Sequence, residues 1–272
     1  MKMLLANSNH FSCFSLRYSE SGGMMKVTLW VTASLFLIIN SCARVNKETK
    51  HKAEGHMKLG ISYLSEGNLN AALKEFMESE KLYPDDPQLQ NALGLTFFAK
   101  TAYLDSEKHF KKAIELKNDF SEAHNNLGVI YLNTNRYDDA VNEFRAALTD
   151  ILYPTPERAY ANIGWAYYKK KNFRDAEFNY KKALGITPDF FIAHFNLGLL
   201  YYDGGRYSEA VKRFKLAIKY YNKYAEAYYH LGKTYIKLKK AVEASQSFSM
   251  VCKLAPDSEN CNLSIKYNNA LK

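Results

Sequence analysis

The chain of 272 residues is sparing with the residues that punctuate or crosslink a fold: 6 prolines, 13 glycines, 4 cysteines and 2 tryptophans. With 47% apolar residues, so little proline and glycine excludes a disordered or low-complexity chain. Four cysteines without zinc-type spacing exclude a structural metal module, and no metal or other cofactor is implied. No phosphate loop, no nucleophile beside a base and no paired catalytic carboxylates stand out, so the expectation is a non-enzymatic protein without a small-molecule substrate. The net charge of +9 is spread in short pairs such as Lys111 and Lys112, or Lys239 and Lys240. Without a basic stripe carrying interleaved aromatics, this reads as a solvated face and not a nucleic-acid surface.

Long apolar runs are also missing. The longest, Val27 to Ile39, has 13 residues behind Lys26, too short for a bilayer span of about 20 residues but laid out like the charged and apolar parts of a signal peptide. Residues 1–23 hold Arg17 and Glu20 and fit no part of that layout, which points to a start at Met24 or Met25. The run ends in Ile39-Asn40-Ser41-Cys42, which resembles the bacterial lipobox. That resemblance implies a signal region of residues 1–41 and lipid attachment at Cys42, where several acyl chains on one residue give stable anchoring. With Ala43 next, it implies the periplasmic face of the outer membrane. The polar stretch 42–52 then suits a tether.

After residue 52 a period of 34 residues governs the sequence. Gly60, Gly94, Gly128, Gly164, Gly198 and Gly232 hold the eighth position of six units, each preceded by Leu or Ile and followed three residues later by Tyr or Phe. The twentieth position is Ala72, Ser106, Ala140, Ala176, Ala210 and Ala244; the twenty-fourth is Phe76, Phe110, Phe144, Tyr180, Phe214 and Phe248. Small residues let the two helices of a unit approach, and the rings fill the space between units. These columns resemble the tetratricopeptide-repeat (TPR) pattern, which implies an all-α superhelix of about six helix-turn-helix units over residues 53–258. Residues 259–272 read as a capping helix over the last unit.

Gly67, Asn135 and Gly205 fall where each hairpin needs a left-handed residue. Pro84, Pro188 and Pro256 close second helices, with Asp85, Asp189 and Asp257 as the expected caps of the next. The third unit is two residues longer than the rest, between Ala147 and Thr155; the insertion is either a neutral loop or one that shapes a partner surface. Thr155 and Pro156 then suit the start of the next helix. Once Cys13 is removed and Cys42 lipidated, Cys252 and Cys261 remain, an even number in an oxidising compartment, and are expected to pair.

The concave wall takes its residues from the second, fifth, ninth, twelfth and thirteenth positions of each first helix. In units four to six these include Trp165, Tyr168, Phe195, Leu199, Tyr202, Tyr229 and Ile236, a set rich in the aromatics that form protein-binding hot spots, although fifth and twelfth positions also serve packing. In unit one, Met57 and Ile61 stand where chaperone-type TPR domains place a carboxylate clamp. His56, His124 and His194 share the fourth position, whole units apart, and read as packing residues.

An exported, lipidated stack of about six units with an irregular join before YPTPERAYANIGWAYYKKKNFRDAEFNYKKAL resembles the type IV pilus pilotins. The resemblance spans residues 42–272 and implies a scaffold whose groove holds a subunit of the secretin pore while the acyl chains carry it to the outer membrane. The alternative is a general envelope-assembly scaffold, serving outer-membrane protein insertion or cell-wall machinery.

Overall fold

The computed structural model describes residues 47–271; the expected signal region 1–41 and the expected lipid site Cys42 lie outside them. Thirteen helices follow one another in antiparallel pairs among the described residues. Helix α1 covers 47–65 and pairs with α2 (Leu69–Leu82). The later pairs are α3 (Pro87–Ala99) with α4 (Tyr103–Leu116), α5 (Ser121–Asn133) with α6 (Tyr137–Ala147) and α7 (Pro156–Lys169) with α8 (Phe173–Ile186). Then come α9 (Phe191–Asp203) with α10 (Tyr207–Tyr220), α11 (Ala225–Lys237) with α12 (Ala241–Leu254), and the unpaired α13 (Glu259–Ala270). This is the expected all-α repeat array with an extra terminal helix.

Within each pair, the first helix lies against the second through its eighth-position glycine. A Cβ on Gly198 would sit 2.5 Å from Cε1 of Phe214, and the other five glycines of this column face their rings at 2.5 to 2.7 Å. The six rings are at most 1% exposed. Where serine replaces alanine at the twentieth position, its hydroxyl is not left bare: Ser106 Oγ donates to the Gly94 carbonyl at 2.7 Å. Tyr180 is the exception in its column, a buried phenol whose hydroxyl has no partner among the described residues.

Each first helix ends the same way. Its eleventh-position aromatic accepts a hydrogen bond from an N–H five residues on, as in Asn68 to Tyr63 at 2.8 Å and Lys240 to Tyr235 at 2.9 Å. The intervening residue is left-handed, the geometry of a Schellman closure. Gly67, Asn135 and Gly205 occupy it as expected, with φ of 76°, 60° and 72°. Thr101, Lys171 and Lys239 occupy it too, at φ near 60°, although nothing in their side chains favours that region.

Helix starts depart from the sequence reading. Asp86, not Asp85, caps α3, accepting from the Gln88 and Leu89 amides; Ser258, not Asp257, caps α13; and Phe190, one residue after Asp189, holds the N-cap position of α9 with no side-chain cap. The turn after each proline needs one more residue than a direct proline-aspartate cap allows. Thr155 does precede Pro156 at the start of α7, but its hydroxyl caps nothing. Residues 47–52, assigned above to the tether, are helical. They are the exposed first turns of an amphipathic helix whose Ala53 carbonyl accepts from Ser79 Oγ at 2.9 Å.

The array closes on α13, whose Tyr267 stacks on Phe248 at 5.1 Å. Cys252 of α12 is joined to Cys261 of α13 by a disulfide with a Cα–Cα separation of 4.7 Å. Closing so short a loop is worth about 2–3 kcal/mol in the chain-entropy account.

Two glycine substitutions should act in opposite directions. Ala in place of Gly198 gains about 1 kcal/mol of helix propensity but must displace the Phe214 ring, for a net loss of about 1–2 kcal/mol. Gly55, with nothing within 4 Å of its Cβ position, should gain about 0.5–1 kcal/mol on the same change. Urea unfolding midpoints of the two variants check both signs.

Candidate functional site

The concave positions of units four to six divide into two kinds. Phe195 and Tyr229 are core residues, 5% and 8% exposed. Phe195 packs against Phe214, Tyr224 and His230, and Tyr229 against Phe248 and Tyr267. As groove surface these two are corrected: fifth-position side chains point between neighbouring first helices, where ring volume is needed for packing. Trp165, Tyr168, Leu199, Tyr202 and Ile236 are half-buried and keep part of their surface on the wall.

Three of these five have specific partners. Trp165 and Tyr168 stack at 5.1 Å, and the Lys169 ammonium lies 5.3 Å over the Trp165 ring. Tyr168 donates from its hydroxyl to Asp203 in the next unit. Lys233 stands 5.5 Å over both Tyr202 and Tyr229. Asp203 and Lys233 thus join the candidate wall beside its aromatics, at the thirteenth and ninth positions of the same periodic scheme. Burial, and for Tyr168 the adjoining Asp203 carboxylate, raises the pKa of Tyr168 and Tyr202, so both hydroxyls remain protonated donors. The result is an apolar wall with two cations, Lys169 and Lys233, and one anion, Asp203, held against its rings, suited to an apolar peptide segment with polar groups at its margin.

The fourth position serves the interior of each unit. His56 bonds Glu75 at 2.7 Å, the Gln90 side-chain oxygen accepts from His109 at 2.7 Å, His124 bonds Glu143 at 2.7 Å, and His194 lies 3.4 Å from Arg213. In every case the partner is the twenty-third position of the same unit. His124 and His194 also reach the backbone carbonyls of Asn118 and Pro188, each at 3.0 Å, tying the helix to the turn before it. The expectation of packing residues is thus refined to a polar brace.

Units four and six lack that brace, having Tyr160 with Asn179 and Tyr228 with Ser247 at these positions. Each of these units carries a cleft. One of about 330 Å³ is lined by Arg145, Tyr160, Ile163, Tyr167, Asn179 and Lys182 among others. The second, of about 290 Å³, uses the equivalent residues Lys215, Tyr228, Leu231, Tyr235, Ser247 and Met250. The joins before units three and five are instead sealed by ion networks, in which Glu107 bonds Tyr131, Arg136 and Lys111, and Glu177 bonds Tyr201, Arg206 and Lys181. Among the described residues no group of His, Cys, Asp and Glu is placed to hold a metal.

His230 is the most perturbed histidine. Burial, then Lys233, lowers its pKa from 6.5 to about 4, and its Nδ1 has no hydrogen-bond partner among the described residues. Between those values the unfolded chain binds the proton and the folded chain does not, so stability falls as pH drops from 6.5 through 4, by up to about 3 kcal/mol. His124 works in the opposite sense: its bond to Glu143 raises its pKa, so its contribution is present below the unfolded value and lost as pH rises through the folded one. Replacing His230 by Phe should remove the largest single share of the acid loss, read from urea midpoints at pH 7 and pH 4.5. An unchanged difference between the two pH values would contradict this assignment.

Known families and structures match this geometry. A TPR repeat matches residues 164–205 and 198–239, and a tetratricopeptide repeat matches 57–119, 109–142 and 225–258, leaving uncovered the irregular join after unit three. No curated protein matches the chain by sequence. Among solved structures, PilW, described as a widely conserved type IV pilus biogenesis factor, superimposes with a TM-score of 0.73 at 22% identity, over 78% of this chain and 98% of that one. PilF of Pseudomonas aeruginosa gives 0.68 at 19% identity, over 81% and 98%. YrrB, a TPR protein with an unusual peptide-binding site, gives 0.51 at 18% identity, over 70% and 97%. At these identities the likeness is one of fold, while the matches to repeat models extend over well more than half of the chain. The chain belongs to the tetratricopeptide-repeat family and is a protein-binding scaffold of that class.

Proposed function

We propose that this chain is a lipid-anchored scaffold that assists assembly of the type IV pilus secretin at the periplasmic face of the outer membrane. The observation that carries the reading is the match to PilW over 98% of that protein, with a TM-score of 0.73. The lipobox-like Ile39-Asn40-Ser41-Cys42 supports it, because a protein that delivers a pore subunit to a membrane needs stable attachment there.

In this mechanism the wall of Trp165, Tyr168, Leu199, Tyr202 and Ile236 receives an apolar segment of the secretin subunit. The rings are already immobilised by stacking and by the Tyr168–Asp203 bond, so little side-chain entropy is lost on binding. Lys233 and Asp203 set the direction of the bound segment through charge. Holding the segment shields its apolar surface until the subunit reaches the membrane and joins the ring.

The test is the yield of heat-stable secretin multimers in cells with and without this protein, and with a Trp165→Ala, Tyr202→Ala variant. Multimers should be lost without the protein, and the variant should weaken secretin binding by about tenfold or more, as for truncation of two hot-spot aromatics. Unchanged multimers in cells lacking the protein would contradict the reading. Recovery of outer-membrane insertion or cell-wall machinery in place of secretin, by affinity capture from envelope extracts, would favour the general envelope scaffold.

A further inference from the structure

The most exposed large apolar side chains of the described chain are Ile151 and Leu152, at 97% and 87%. They form the tip of the two-residue insertion between α6 and α7. The loop beneath them is well built. Asp150 accepts from Ser121 Oγ through Oδ2 and from the Leu152 amide through Oδ1, Thr149 donates to the Ala146 carbonyl, and Tyr153 is buried. Two apolar side chains are thus held out into solvent by a turn whose own carboxylate is turned inward and satisfied.

The surroundings of the tip are informative. Turns that join one unit to the next all lie on one edge of the array, since paired helices alternate in direction. On that edge Ile186, Ile192, Tyr220 and Tyr221 are also exposed, and neighbouring turns touch, Phe191 lying 4.9 Å from Tyr221. Lys219 and Lys223 flank the tyrosines. The turns within units form the opposite edge, with Lys100, Asn133, Lys170 and Asp203 exposed there; its exposed apolar residues Leu104, Phe173 and Val242 stand singly, and Phe173 rests on Tyr168 at 6.0 Å.

Helix α1 fixes which edge the chain enters from. The Lys50 ammonium lies 5.4 Å over the ring of Tyr83, in the turn between α2 and α3, so the chain enters on the edge that carries Ile151 and Leu152. Cys42 is five residues upstream of residue 47, where α1 begins, and can reach no farther than about 18 Å from it, less than the roughly 20 Å that separates the two ends of a 14-residue helix. Acyl chains on Cys42 would therefore bring the bilayer to this edge.

We propose that the edge formed by the inter-unit turns rests on the lipid bilayer, with Ile151 and Leu152 inserted among the acyl chains and Tyr220 and Tyr221 at the headgroup level. The proposal rests on the lipid-anchor reading of Cys42. Two apolar side chains bind a membrane only marginally by themselves, but beside an acyl anchor they fix orientation, because stable attachment combines signals. Tyrosine and lysine at the rim are the side chains that favour this interface. In this orientation the helices stand on the membrane and the wall bearing Trp165 and Tyr202 rises from its surface, open sideways to a partner.

The test places a bimane probe at Leu152→Cys, or at Asn133→Cys on the far end of the same unit, in full-length protein extracted from cells. Each protein is reconstituted into phosphatidylethanolamine and phosphatidylglycerol vesicles with brominated acyl chains. Quenching of the probe at 152 by about twofold, with little at 133, is expected for a side chain among the acyl chains. No quenching at 152, or equal quenching at both sites, overturns the proposal. The mass of the amino-terminal peptide, with or without acyl groups on Cys42, reports on the anchor separately, so failure of the anchor reading and failure of the edge are told apart.

Discussion

Everything in this molecule depends on how closely two helices of a unit can approach. The glycine at the eighth position leaves room for the ring at the twenty-fourth to lie directly on the first helix, at separations no side chain would permit. That contact sets the spacing of the pair. The spacing in turn puts the eleventh-position carbonyl within reach of the amide five residues on, closes the hairpin, and turns the fourth-position side chain toward the twenty-third. Six copies of one short-range contact produce an extended wall without any need for long-range pairing.

Departures from the repeat are more informative about function than the repeat itself. Fourth-position histidines and Gln90 brace the first three units and the fifth, while Tyr160 and Tyr228 leave clefts in the fourth and sixth. Glu107 and Glu177 seal the joins before units three and five. From the second unit to the sixth, joins sealed by an ion network thus alternate with joins that carry a cleft, and the aromatic wall spans one of each. The inserted residues at the third join break the period once, and there the chain presents its most exposed apolar pair.

Architecture was legible in the sequence because each column answers to one local contact: glycine to a ring, alanine to a facing helix. The three left-handed positions with Gly67, Asn135 and Gly205 could be read from residue type, whereas Thr101, Lys171 and Lys239 are placed there only by the register of their neighbours, against their own preference. Helix caps were displaced by a residue because turn length, not the nearest aspartate, decides which side chain meets the free amides. In the groove, residue type could not separate Phe195 and Tyr229 from Trp165 and Tyr202. The same rings serve packing and recognition, and only the angle at which the fifth position meets its neighbour divides them. Asp203 and Lys233 escape a reading by residue type because an isolated charge on a helix reads as solvated until a tyrosine from the preceding unit is seen to hold it.

The proposed seat of the partner is the wall of units four to six. Incorporating a photo-crosslinking phenylalanine derivative at Leu199, between Tyr168 and Tyr202 on the wall, and irradiating intact cells addresses it most directly. The account predicts a crosslinked product containing the secretin subunit, absent when the same residue is placed at Met77 on a second helix. Crosslinking to the secretin from Met77 but not from Leu199 would contradict it.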